Sequence, residues 1–116
     1  MGYITALQEA GATVLAEGTF GSYQGNWYAK VEYQGETLLV GGYYGSCSHC
    51  DAFQAEFGYF DEESESYQVR LAEFGHGYLT DPLIVEKEIS DAKRDADWDG
   101  DSREMLRWLE EHFPQD

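Results

Sequence analysis

Apolar residues change their spacing partway along this chain. Residues 3–10 place Ile4, Leu7 and Ala10 at helical spacing, and Gly11 follows as a stop, so a short helix is expected there. Thr13–Gly18 carries a short strand pattern. Asn26–Tyr33 alternates: Trp27, Ala29, Val31 and Tyr33 point one way, and Tyr28, Lys30 and Glu32 the other. Gln34-Gly35 suits a two-residue turn, because glycine accepts positive φ. Glu36–Tyr44 then returns as the partner strand. That register sets Val31 opposite Leu38 and Ala29 opposite Val40. One sheet face is then apolar, while the other mixes Tyr28, Leu39 and Tyr43 with charge. Gly18, Gly21 and Gly25 fall in the connection between the first two strands. No helix follows them directly, so they read as turns and not as a phosphate-binding loop.

Beyond Tyr44 the period becomes helical. Ser48–Phe57 predicts a helix closed by Gly58, and Asp61–Ser66 an acidic turn. Tyr67–Phe74 is helical, with Gly75-His76-Gly77 as a break. Thr80-Asp81-Pro82 predicts the start of another helix, with Pro in its first turn and Leu83, Val85, Ile89 and Ala92 as its apolar stripe. Asp95–Gly100 interrupts the pattern. Asp101 is the expected cap of the last helix, with Glu104 at capping-box spacing. Met105, Leu106, Trp108, Leu109 and Phe113 supply that helix's buried side, and Pro114 ends it. No internal repeat is visible. The expected fold is α+β, in one domain over residues 1–116. Residues 1–45 form a short N-terminal helix and a three-stranded antiparallel meander, and residues 46–116 an acidic half of three to four helices.

Composition agrees with a folded chain. The 116 residues are 42% hydrophobic, with nine Tyr, six Phe and three Trp, whereas disordered acidic segments are poor in aromatics. Charge adds more. The net charge is −16, and 19 of the 23 carboxylates lie in residues 51–116, against six Lys and Arg there. Such a balance disfavours nucleic acid and anionic lipid as direct partners and steers the chain toward basic surfaces. No stretch reaches the length of a bilayer span, and no basic leader opens the chain, so the cytoplasm is the expected compartment. The candidate partner-binding carboxylates are Asp61, Glu62, Glu63 and Glu65 in one cluster. Asp95, Asp97, Asp99, Asp101, Glu104, Glu110 and Glu111 make up the other. Glu104 and Glu111 share a helix face that lies away from Leu106 and Leu109. A solvated face that aids solubility is the ordinary alternative.

Two motifs carry possible chemistry. Cys47-Ser48-His49-Cys50 stands between a strand and a helix start, where a thiolate is stabilised by the helix N-terminus. Residues 38–57 locally resemble the active-site stretch of thioredoxin-like oxidoreductases. That family also needs a strand opened by a cis-proline, and Pro82 better suits a helix start. The alternative packs Cys47, Cys50, Phe53 and Phe57 inward as one helical stripe. For zinc, Cys47 and Cys50 with His49 or His76 make half a site, because no second CxxC or His-x₃₋₅-His is present. His112 reads as a surface or capping residue. Asp95-Ala-Asp97-Trp-Asp99-Gly100-Asp101 matches the opening of an EF-hand loop, but Leu106 stands where calcium needs a bidentate carboxylate. No serine-triad, Walker or HExxH motif occurs. No enzyme activity, cofactor or metal is therefore expected.

The stretch from Asn26-Trp-Tyr-Ala-Lys-Val through Tyr44-Gly-Ser-Cys-Ser-His-Cys-Asp-Ala-Phe-Gln-Ala-Glu-Phe57 resembles a group of small acidic phage-encoded proteins, as does the acidic C-terminal half. The resemblance implies no reaction. It implies an anti-CRISPR-like inhibitor that mimics DNA and fills a basic nucleic-acid channel of an effector complex, in the cytoplasm of a host cell. A toxin-immunity protein or antitoxin is the second expectation, and a CxxC thiol-redox or zinc protein the third.

Overall fold

The computed structural model of the chain describes residues 2–21, 25–45 and 65–115, and of Glu65 the backbone alone. Its elements run α1 (Tyr3–Glu9), β1 (Thr13–Gly21), β2 (Gly25–Tyr33), β3 (Glu36–Tyr44), α2 (Glu65–Thr80), α3 (Val85–Asp95) and α4 (Gly100–His112). This is the expected α+β arrangement of helix, antiparallel meander and helical half, with sheet order β1-β2-β3. The predicted helix at Ser48–Phe57, the CxxC motif of Cys47 and Cys50, and Asp61, Glu62 and Glu63 lie outside the described residues.

The hairpin register is the one that periodicity implied. Val31 pairs with Leu38 and Ala29 with Val40. Gln34 and Gly35 turn between them with φ of 51° and 81°, the left-handed pair that a tight hairpin uses. β1 is three residues longer than its sequence pattern suggested and reaches Gly21, with a bulge between Val14 and Ala16.

The expectation of one buried and one mixed sheet face is corrected, because helices cover both. On the first face α1 and α2 pack over Trp27, Ala29, Val31, Val40 and Tyr44, with Tyr3, Leu7 and Leu79 completing the cluster. On the second, α3 and α4 cover Tyr28 and Leu39 with Ile89, Ala92 and Leu109, and Phe20 joins them. Tyr28 is 3% exposed and Leu39 1%. Each large apolar side chain so buried contributes about 1.5–3 kcal/mol of hydrophobic stabilisation. Lys30, on the same face, lays its ammonium 5.4 Å from the centre of the Phe113 ring, so even the charged position finds a cover.

Four helix boundaries also differ from the sequence expectation. α2 begins at Glu65, so Glu65 and Ser66 are helical and not part of an acidic turn. It runs through Gly75-His76-Gly77 without a break to Thr80. Gly75 is buried against α1, where a Cβ would meet the carbonyl of Ala6. The glycine answers a close helix crossing, not a helix end. Thr80-Asp81-Pro82 does not open α3. Leu83 instead donates its N–H to the Leu39 carbonyl at 2.9 Å, a bridge on the outer edge of β3, and α3 starts at Val85. The last helix is capped by Asp99 in place of Asp101: its backbone is extended and its carboxylate accepts from the Asp101 N–H. No helix among the described residues is long and apolar enough to cross a membrane.

Candidate functional site

The turn joining α3 to α4 is short and tightly bonded. The Asp95 carbonyl accepts from Asp99 N–H at 3.0 Å and from Trp98 N–H at 3.3 Å. Arg103 reaches back with Nε to the Ala96 carbonyl at 2.9 Å. Asp99 accepts from the Asp101 amide at 3.2 Å and from the buried Ser102 hydroxyl at 2.8 Å. The Asp99 carboxylate satisfies one orphan donor of the α4 N-terminus, the Asp101 amide, and the bonds together fix the turn's shape. On this fixed turn Trp98 is 74% exposed. A large aromatic held out in water by a rigid turn is the kind of side chain that anchors protein interfaces.

The expected partner-binding carboxylates separate into groups. Asp95 is paired with Arg94 at 3.3 Å, and Asp99 is the helix cap. Asp97, Asp101, Glu104, Glu110 and Glu111 are exposed, and none has a cation within ion-pairing distance among the described residues. Glu65 sits at the start of α2. On α3 two of the three cations face that helix's own carboxylates: Lys87 meets Asp91 at 2.9 Å and Arg94 meets Asp91 at 3.6 Å. The Lys87 hydrogen bond holds the Asp91 carboxyl below the usual aspartate range, and the Asp95 hydrogen bond raises Arg94 further.

The outer face of α4 is not uniformly acidic. Ser102 and Leu109 point inward, and helical spacing puts Glu111 at the middle of the opposite side, with Arg107 and Glu104 next to it. Arg103 and Glu110 lie further round, beyond Arg107. The acidic surface is therefore a mixed-charge helix beside an acidic turn, in place of an unbroken row of carboxylates. Sequence reasoning counted the carboxylates but passed over Trp98. Its signal was a large aromatic inside an Asp-rich break, off any apolar stripe.

Other cavities line the sheet. A groove of about 300 Å³ runs beside β1 and is lined by Ile4, Glu17, Gly18, Thr19, Trp27 and Tyr28. A second, of about 410 Å³, lies between Tyr33, Glu36, His76 and Pro82. The second brings Glu36 and His76 to one cavity without a hydrogen bond or ion pair between them, and among the described residues no three His, Cys, Asp or Glu stand together as around a metal ion. His76 packs edge-on to Tyr33, with ring centres 6.5 Å apart, and His112 lies 4.6 Å from Trp108.

No family model, curated protein or solved structure matches this chain.

Proposed function

We propose that this chain is a non-enzymatic binding protein that occupies a basic, nucleic-acid-binding surface on a partner, in the manner of an anti-CRISPR-type DNA mimic. The observation that supports this reading most is Trp98, exposed on a rigid turn between Asp97 and Asp99, with Asp101 and Glu104 following on α4. Unpaired carboxylates stand in for phosphates opposite Lys and Arg, and the indole supplies the apolar anchor that charge alone lacks. The net charge of −16 steers association with a positive surface.

The test uses the protein and a triple variant, Asp97→Asn with Glu104→Gln and Glu111→Gln, immobilised side by side in host lysate. The wild type should retain a basic nucleic-acid-binding protein that the variant retains poorly. The isolated partner, preloaded with its nucleic acid, should release it when the wild type is titrated in. Nucleic acid that stays bound, or equal retention by the variant, would refute the reading and leave the charge to solubility.

A further inference from the structure

β1 is an edge strand of nine residues, paired on one side with β2. Outside that pairing, among the described residues no hydrogen bond reaches Thr13–Gly21. The opposite edge is treated differently. On β3, Leu83 donates to the Leu39 carbonyl at 2.9 Å, and the Tyr3 hydroxyl donates to the Tyr43 carbonyl at 3.1 Å. Proteins usually blunt a free edge. Here the bulge between Val14 and Ala16 disrupts the first part of β1, and the remaining residues, Ala16 to Gly21, pair in unbroken register with β2. Self-pairing through this edge would bring together two copies of net charge −16.

The groove of about 300 Å³ runs along this same stretch, with Ile4 of α1 as a wall and Trp27 contributing to its lining. Glu17 and Thr19 line it and are exposed, and Glu17 has no cation within ion-pairing distance among the described residues. A strand laid on this edge would gain main-chain hydrogen bonds and would send alternate side chains toward the groove. A carboxylate beside aromatic and aliphatic carbon suits a guanidinium or an ammonium on an alkyl stem.

We propose that the Ala16–Thr19 edge of β1 accepts an extended, positively charged segment of a partner protein as a fourth strand, with an Arg or Lys side chain of that segment seated beside Glu17. This site does not depend on the acidic turn being a binding surface.

The experiment compares two blocked nonapeptides of equal charge, one alternating Arg and Val, the other alternating Arg and Pro. Proline lacks the N–H and cannot complete a ladder. The Arg–Val peptide should slow amide hydrogen exchange in Ala16–Thr19 and shift the resonances of Ile4 and Glu17. The Arg–Pro peptide should bind at least roughly tenfold more weakly, because main-chain bonding carries strand addition. Glu17→Lys, at an exposed position, should weaken the Arg–Val peptide by roughly fivefold or more through reversal of one partly screened charge. The variant carrying Asp97→Asn, Glu104→Gln and Glu111→Gln should keep the protection at β1. Equal binding of the two peptides, absence of binding, shifts confined to residues 97–111, or a concentration-dependent dimer that protects β1 without peptide would each overturn the proposal.

Discussion

The hydroxyl of Tyr28, in the central strand, donates a 2.7 Å hydrogen bond to the carboxylate of Glu88 on α3. Trp108 of α4 stacks on the same tyrosine ring, with centroids 5.6 Å apart and planes inclined by 26°. One strand residue thus ties both helices of the second layer to the sheet. Tyr28→Phe should cost about 1.5–3 kcal/mol, the usual range for a hydrogen bond to a charged group. Glu88→Gln on the Tyr28→Phe background should cost much less than on the wild type. A double-mutant cycle by urea denaturation measures this, and additive losses would show that the bond contributes nothing.

The same contact sets a pH limit. Burial, then the hydrogen bond to Glu88 and the charges of Glu88 and Asp91, keep the Tyr28 hydroxyl protonated far above the ordinary tyrosine value. An unfolded tyrosine ionises near pH 10. Because the folded value is raised, this contribution is fully present below about pH 10 and is lost as pH rises beyond it. Chemical denaturation between pH 8 and pH 11 should show a decline that is shallower in Tyr28→Phe. Identical slopes would remove Tyr28 as the cause.

Two glycines of α2 should respond in opposite directions. A Cβ on Gly77 meets nothing within 4 Å, so Gly77→Ala should stabilise by about 0.5–1 kcal/mol through helix propensity. A Cβ on Gly75 meets the Ala6 backbone, so Gly75→Ala should destabilise by about 2 kcal/mol or more, as overpacking does. Thermal melts of the pair check this. Stabilisation by both would mean that α1 does not press on α2 at Gly75.

Asp99 should behave as a cap and not as one more surface charge. Asp99→Ala should lose about 1 kcal/mol, while Asp99→Asn should be close to neutral, because asparagine caps as well as aspartate. Asp97→Ala, two residues earlier and exposed, should change stability little. Equal effects at the two positions would contradict the capping role.

Trp98→Ala should leave stability within about 0.5 kcal/mol, since the side chain is largely in water. On the partner of the proposed function it should speed dissociation, while amide substitutions at Asp97 and Glu104 slow association and reduce its salt dependence. Surface plasmon resonance at two ionic strengths separates the two effects. An unchanged dissociation rate in Trp98→Ala would rule out the anchor.

Local pattern alone determined the α+β order, the strand alternation and the hairpin register. Ala29 meets Val40 because a period of two and a two-residue Gln34-Gly35 turn permit one pairing that buries both. Pattern also implied the apolar sides of α3 and α4, where Ile89, Ala92 and Leu109 are buried. Contacts distant in sequence decided the rest. Tyr28 and Leu39 share a sheet face with Lys30 and Glu32, and only the arrival of α3 and α4 makes that half of the face a core. Gly75 looks like a helix break until α1 lies against it. Asp99 and Asp101 both suit a cap by composition, and the choice falls to the residue whose extended backbone lets its carboxylate reach the Asp101 amide and the buried Ser102 hydroxyl. Trp98 belongs to no stripe, and nothing in its neighbours' identities shows whether a turn folds it inward or holds it in water. Periodicity reports which side of an element is apolar; which elements meet, and what stays uncovered, depends on packing that no local window contains.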